Sequence, residues 1–181
     1  MKTAIFLERD GILNRARIEN EHQVLPVRLD EFRINPETGP CLLKLKEAGF
    51  LLIATTNQPG LSAGDLPRRE LDRMHEVLLQ SLPLDDIMVC PHAASDLCPC
   101  HKPRAGLFTE AAFKWHLDLE KSFVISDKWQ DAAAARTVGA TSLLVQSPWT
   151  GCGHHDLVLP DLATIVERIL RWQTTQRILA A

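Results

Sequence analysis

Short apolar stretches alternate along the chain with longer segments in which apolar residues recur every three or four positions. The short stretches predict five strands, at residues 3–7, 50–55, 86–89, 122–126 and 141–145. The longer segments predict helices at residues 37–48, 67–81, 105–116 and 130–138, and a last one at 162–171 or a little beyond. Strands that alternate with helices form parallel βαβ units. The sequence therefore predicts an α/β fold with a doubly wound, mainly parallel five-stranded sheet and helices on both faces.

Three segments interrupt this alternation. Residues 9–35 are longer than an ordinary connection between a strand and a helix. Residues 90–104 are rich in cysteine, histidine and proline, and residues 146–160 are expected to form a further loop. The chain shows no internal repeat or linker, so we expect one domain over residues 1–181.

The composition is typical of a globular protein and limits the classes of partner. Of the 181 residues 45% are hydrophobic, and the formal net charge is −3, which gives no reason to expect nucleic acid or a membrane surface as a partner. The longest apolar runs are too short to span a bilayer. The N-terminal residues have no signal-peptide pattern, so a cytoplasmic location is expected. The sequence does not indicate an oligomeric state.

The cysteines predict a metal site rather than a disulfide framework. There are five, an odd number, and three of them fall within eleven residues. The loop at 90–103 contains Cys90, His92, Cys98 and Cys100, and three thiolates with one imidazole form a closed tetrahedral site typical of structural Zn²⁺. A reduced cysteine cluster or disulfide pairs are the alternatives. Cys152, which precedes two nearby histidines, is expected in a surface loop.

Polar side chains follow the ends of several predicted strands. In a doubly wound sheet these ends meet at one edge, where ligands bind. Carboxylates from two strand ends can hold Mg²⁺, and a lysine beside a hydroxyl-bearing loop can hold phosphate, so together they are the parts of a phosphoryl-transfer site. Each motif alone has another explanation, since such residues also cap turns and helices. The residues concerned are Glu8 and Asp10, the stretch 55–58, Lys102, and Asp127 with Lys128 and Asp131.

The ordered motifs FLxRDG, TTNQ, CHKP and SDKxxD resemble those of the haloacid dehalogenase (HAD) superfamily of phosphatases. With the predicted zinc loop, the chain is similar to the small capless branch that contains heptose 1,7-bisphosphate phosphatase and the histidinol-phosphate phosphatase domain. The resemblance implies a Rossmann-like sheet, no cap domain, catalytic Mg²⁺ and a covalent aspartyl-phosphate mechanism on a small phosphorylated metabolite.

The same resemblance implies a role for individual residues. Residue 8 would be the nucleophile and Asp10 the general acid/base, while Thr56 and Lys102 would bind the transferring phosphoryl group. Mg²⁺ would be held by Glu8, the backbone carbonyl of Asp10, and Asp127. Further substrate contacts would come from Asn57, Gln58, His101, Arg104 and Lys128.

Position 8 departs from the family pattern, because the family has aspartate where this chain has Glu8. One extra methylene displaces the carboxylate, so turnover is expected to be weakened. The natural protein could have lost most activity, could use Glu8 as a slower nucleophile, or could carry an introduced change. His101 also replaces an arginine that is common in this branch, and Arg104 could partly substitute for it.

The substrate expected from the resemblance is a sugar bisphosphate of the heptose type, which belongs to carbohydrate metabolism. The lone-domain architecture and the FLxRDGxxN motif favour this reading. Histidinol phosphate is the alternative, because the short zinc loop is closer to that relative. A protein that binds phosphorylated ligands without turnover is a third hypothesis, which rests on Glu8.

Overall fold

The main sheet has six parallel strands, one more than the sequence predicts. The computed structural model describes residues 1–151 and 153–179, so Cys152 lies outside the described residues. The strands are arranged in the order β5-β4-β1-β6-β7-β8, which is the doubly wound arrangement predicted from the alternating pattern. They are β1 Ala4–Glu8, β4 Leu51–Asn57, β5 Asp86–Cys90, β6 Phe123–Ser126, β7 Thr141–Val145 and β8 Leu157–Leu159.

The sixth strand corrects the prediction of a loop over residues 146–160. Leu157 pairs with Leu143 at the edge of the sheet, and the Asp156 side chain accepts hydrogen bonds from the backbone N–H (2.7 Å) and hydroxyl (2.8 Å) of Ser142. These contacts fix a strand of only three residues, which is too short to produce a periodic signal in the sequence.

Helices cover both faces of the sheet, as predicted, with ends displaced by at most one residue except at the C-terminal helix, which extends to Leu179. A four-residue helix after β4 was not predicted. The helices are α1 Thr38–Glu47, α2 Gly60–Ala63, α3 Arg68–Ser81, α4 Gly106–Trp115, α5 Trp129–Thr137 and α6 Leu162–Leu179. Among the described residues, no helix combines the length and the apolar character that crossing a membrane would require.

Alternate residues of β1 point into two separate cores. Ile5 and Leu7 pack in the core beneath α1, α3 and α6, whereas Ala4 and Phe6 pack in the core beneath α4 and α5. The rings of Phe6 and Phe108 lie 4.8 Å apart in the second core. Because the strand is buried on both faces, the Glu8 carboxylate at its end is held against a rigid support.

The long segment between β1 and α1 is folded rather than irregular. It contains an antiparallel hairpin of β2 Arg17–Glu19 and β3 His22–Val24, followed by a single 3₁₀ turn at Leu29–Glu31. Asn14 and Ile34 pair at its base. We call residues 15–33 the hairpin insert. It lies over the carboxyl ends of the strands, since Gln23 contacts Asp127 there.

Candidate active site

A cavity of about 260 Å³ lies at the carboxyl ends of the strands. Six of its lining residues were predicted to belong to a site: Glu8, Asp10, Asn57, His101, Lys102 and Lys128. Asp131, which the sequence analysis placed among the strand-end residues without a settled role, also lines the cavity. Four further lining residues were not predicted: Gln23, Leu25, Pro59 and Gln130. The structure therefore brings residues from five separate segments of the sequence into one concave site.

Lys102 lies between two buried carboxylates in this cavity. Its Nζ is 2.7 Å from Asp131 Oδ1 and also contacts Glu8 Oε2, while Glu8 Oε1 accepts a hydrogen bond from the Asp10 backbone N–H at 3.2 Å. Burial raises the pKa of Glu8, and Lys102 opposes that shift. Burial alone would lower the pKa of Lys102, but Asp131 and Glu8 raise it above its ordinary value. Lys102 is therefore a permanent cation beside the carboxylate at position 8.

Asp131 is a site residue whose role the sequence did not settle. It is fully buried in the first turn of α5, and its Oδ2 has no hydrogen-bond partner among the described residues. The signal was its position four residues after Asp127, which also suits an acidic residue in the first turn of a helix. Its unpartnered oxygen shows that the site can accept another donor or a cation.

Asp10 is surrounded by hydrogen-bond donors. Arg9 binds both carboxylate oxygens, with Nε 3.1 Å from Oδ2 and Nη2 2.9 Å from Oδ1. Thr56 Oγ1 (3.1 Å) and Gln58 Nε2 (2.9 Å) donate to Oδ2, and Asn14 Nδ2 (3.1 Å) donates to Oδ1. Burial would raise the pKa of Asp10, but Arg9, the charge of Lys128 and the Asn14 hydrogen bond hold it below its ordinary value. Thr56 and Gln58 were predicted to contact phosphate or substrate. In the structure their side chains donate hydrogen bonds to Asp10, the acid/base candidate.

Arg9 is itself completely buried and is held from α3. Its Nη1 lies 3.2 Å from His75 Nε2, and its guanidinium carbon lies 5.8 Å from the centre of the Phe32 ring. Burial, followed by the charge of Arg9, lowers the pKa of His75 from 6.5 to about 4. A neutral imidazole can accept a hydrogen bond from Arg9. His75 therefore helps to orient the Arg9 guanidinium against the Asp10 carboxylate.

His75 should make the protein less stable in mild acid. The unfolded chain takes up a proton near pH 6.5 but the folded chain only near pH 4, so stability falls as pH falls between these values. The loss contributed by His75 is at most about 3 kcal/mol. Urea unfolding of the wild type and His75→Gln, at pH 7 and pH 4.5, should show a smaller acid loss in the variant. His22→Gln, at an exposed hairpin position, is the control and should behave as the wild type.

Two of the three oxygen donors expected to hold Mg²⁺, Asp127 and the Asp10 carbonyl, lie around one ammonium group. Lys128 Nζ lies 2.6 Å from Asp127 Oδ1 and contacts the backbone carbonyl oxygen of Asp10. Gly11, at φ +107°, lets the chain pass this point, because a Cβ there would lie 2.5 Å from Asp127 Oδ2. The lysine ammonium thus occupies a cation position between two hard oxygen donors, and this donor chemistry fits Mg²⁺.

The four predicted zinc ligands form a compact group in which all ligand atoms lie within 4.8 Å of one another. Cys90 Sγ is 3.7 Å from both Cys98 Sγ and His92 Nδ1, and Cys100 Sγ is 3.5 Å from Cys98 Sγ and 3.3 Å from His92 Nδ1. Zinc–ligand bonds of ~2.0–2.3 Å give tetrahedral edges of about this length. The four side chains therefore fit one tetrahedral Zn²⁺ with no open position.

The residues that follow Cys100 are held by further hydrogen bonds. Asn57 and Lys102 exchange two hydrogen bonds of 3.1 Å, each between the Asn57 amide and the Lys102 backbone. His101 lines the cavity, but its Nδ1 lies 2.9 Å from the His92 carbonyl oxygen. Arg104 Nη1 donates to the Cys98 carbonyl oxygen at 3.0 Å on the exposed side of the loop, and Arg104 is not among the cavity-lining residues.

Sequence comparison relates the chain to characterised proteins. A family model for HAD-hydrolase-like proteins matches residues 99–164. The chain is 33% identical to D-glycero-beta-D-manno-heptose-1,7-bisphosphate 7-phosphatase from Haemophilus ducreyi, across 91% of this chain and 97% of that protein. It is 32% identical to the histidine biosynthesis bifunctional protein HisB from Baumannia cicadellinicola, across 78% of this chain but only 40% of that protein.

The fold has a solved counterpart. The crystal structure of D,D-heptose 1,7-bisphosphate phosphatase from B. bronchiseptica, complexed with magnesium and phosphate, superposes with a TM-score of 0.82 at 28% identity. The match covers 94% of this chain and 99% of that one. Similarity in sequence and in fold thus extends over nearly the whole of both proteins.

Proposed function

The chain belongs to the HAD-like phosphatase family, and on that premise we propose that it is a Mg²⁺-dependent phosphomonoester hydrolase that acts on a sugar bisphosphate of the heptose 1,7-bisphosphate type. One observation carries the proposal. A buried carboxylate at the end of β1 lies with Lys102, Lys128, Asp10 and Asp131 in a single cavity, and Lys128 is paired with Asp127. Hydrolysis of a phosphate ester through a covalent intermediate needs this combination of a nucleophile, an acid/base and cations.

In the proposed reaction the Glu8 carboxylate attacks phosphorus, the ester P–O bond breaks, and the phosphoryl group is held as an acyl phosphate on Glu8. Asp10 gives a proton to the departing sugar oxygen and then removes one from the water that hydrolyses the acyl phosphate. Inorganic phosphate leaves and the Glu8 carboxylate is restored. The donors around Asp10 favour its ionised form, so its stronger contribution is to the second step.

Two metals complete this proposal. Glu8, Asp127 and the Asp10 carbonyl would hold Mg²⁺, which supplies positive charge to the transferring phosphoryl group. Burial alone would lower the pKa of Lys128, but Glu8 and Asp127 raise it above its ordinary value. With Mg²⁺ bound, the Lys128 ammonium would turn to the substrate. Zn²⁺ on Cys90, His92, Cys98 and Cys100 would be structural and would hold Lys102 in place.

Histidinol phosphate is the second candidate substrate. The alignment with HisB over 78% of this chain supports it, as does the short zinc loop. In either case Glu8 is expected to slow turnover, and complete loss of turnover would leave a protein that binds phosphorylated ligands.

The test is phosphate release from heptose 1,7-bisphosphate and from histidinol phosphate, measured with Mg²⁺ and with a chelator. We expect release that requires Mg²⁺ and is faster from the heptose compound. Faster release from histidinol phosphate would reverse the order of the two substrates. No release from either compound, by this chain or by Glu8→Asp, would refute the enzymatic proposal.

A further inference from the structure

The hairpin insert carries an arginine-lined cavity outside the site described above. Its volume is about 260 Å³, similar to that of the active-site cavity, and its charged lining consists of Arg15, Arg17, Arg33 and Glu31. Three guanidinium groups thus face one carboxylate, on a chain whose net charge is −3. This local excess of positive charge is opposite in sign to the net charge of the chain.

The fold places two of these arginines directly opposite each other. Asn14 and Ile34 form an antiparallel bridge, and the Arg15 backbone N–H donates to the Arg33 carbonyl oxygen at 2.8 Å. Like charges at facing positions of an antiparallel pair repel. An anion bound between them would remove this repulsion.

Acidic side chains of the described residues do not neutralise the pair. Among these residues Arg15 and Arg33 have no carboxylate partner, and the Arg33 guanidinium donates only to the Phe32 carbonyl oxygen, at 2.8 Å. Glu31 instead accepts a hydrogen bond from the Val27 backbone N–H at 3.0 Å. Arg17 is paired with Glu19 at 3.1 Å, but both side chains are more than half exposed, so that pair holds Arg17 weakly.

The arginine cavity adjoins the active site. Leu25 lines both cavities, and Arg15 also lines a space of about 280 Å³ together with Gln23 and Asp127. Gln23, from the same insert, donates to Asp127 Oδ2 at 2.8 Å. A substrate with one phosphate at Glu8 could therefore extend along the insert toward the arginines.

We propose that Arg15, Arg17 and Arg33 form an anion subsite that binds the second phosphate of the substrate, the one that is not hydrolysed. The inference rests on the proposed function. It adds the position at which the end of the substrate that is not hydrolysed would bind. Guanidinium groups suit this role because they bind phosphate through two parallel hydrogen bonds.

The test compares two ligands that differ only in the remote phosphate. Calorimetric titration with Mg²⁺ would give the Kd of heptose 1,7-bisphosphate and of heptose 7-phosphate for the wild type and for the double variant Arg15→Ala/Arg33→Ala. The wild type should bind the bisphosphate about 10- to 100-fold more tightly, as expected for charge-assisted hydrogen bonds. The double variant should lose this difference and bind the monophosphate as the wild type does.

The control is Arg69→Ala/Arg136→Ala, which removes the same charge from exposed positions on α3 and α5 and should retain the wild-type preference. If Arg15→Ala/Arg33→Ala retains the preference for the bisphosphate, or if the wild type shows none, the subsite is refuted. All of these titrations are made in chains that also carry Glu8→Gln, which cannot form the acyl phosphate, so binding is read without turnover and this result is separate from phosphate release. A chain that binds the bisphosphate through the arginines but never releases phosphate would refute the proposed function alone.

Discussion

Glu8→Asp is expected to raise the rate of phosphate release by roughly 10²-fold, because displacement of a reacting group by about 1 Å can cost a factor of that size. In the present structure one Glu8 oxygen contacts Lys102 and the other accepts the Asp10 N–H bond, so the longer side chain fills the space in front of β1. Aspartate would withdraw the carboxylate by one methylene and leave that space to the phosphoryl group. Single-turnover measurements with heptose 1,7-bisphosphate would give the chemical step directly.

Glu8→Gln is the matched control, since it keeps the length of the side chain but removes the nucleophilic charge. It should release no phosphate. If Glu8→Asp is no faster than the wild type while Glu8→Gln is inactive, glutamate is a competent nucleophile here and the site has adjusted to it. If the wild type, Glu8→Asp and Glu8→Gln are all inactive but bind the ligand, the protein is a binding protein.

Loss of the zinc site is expected to be the other large effect. Cys98→Ser would remove one of four ligands, and residues 90–103 have little apolar core of their own to replace the metal. Structural Zn²⁺ contributes on the order of 10 kcal/mol to the folding of small zinc-dependent peptides. Because the sheet has its own two cores, we expect a smaller loss here, a few kcal/mol of the free energy of unfolding. Metal content and thermal unfolding would measure it.

Phosphate release should fall in the same variant, because Lys102 follows the last zinc ligand by two residues. Cys41→Ala is the control: Cys41 is buried on α1, outside the metal group, and its replacement should leave the zinc content at one ion per chain. A wild-type protein without zinc, or a Cys98→Ser variant as stable and active as the wild type, would contradict the structural role.

The periodic pattern was sufficient for the main sheet and the long helices because these elements bury continuous apolar faces. It failed where burial is slight. Strand β2 is exposed and β3 is only partly buried. They are joined through Asn20 and Glu21 at positive φ (48° and 63°), without the glycine that marks most such turns. Strand β8 depends on the distant Ser142–Asp156 contact, which no local window contains.

The site was predictable to the extent that it lies at strand ends. The ends of parallel strands meet at one edge of the sheet, so Glu8, Asp10 and Asp127 could be assigned together before any geometry was known. Arg9 and His75 were missed, because their contact joins residues 66 positions apart and His75 lies on a helix with no motif around it. The arginine cavity depends on how the insert folds, which the polar sequence of the insert does not indicate.

The exchange of hydrogen bonds between Asn57 and Lys102 has a further consequence for how such chains diversify. Cys90 at one end of the loop pairs with Asn57 across the sheet, and Lys102 at the other end is bound by the same asparagine. One residue of the neighbouring strand thus fixes both ends of the intervening segment. Since lengthening a loop between fixed ends costs little, insertions there can alter which molecules are accepted while leaving Lys102 in position. Ligand range and catalytic power can therefore evolve separately in this scaffold.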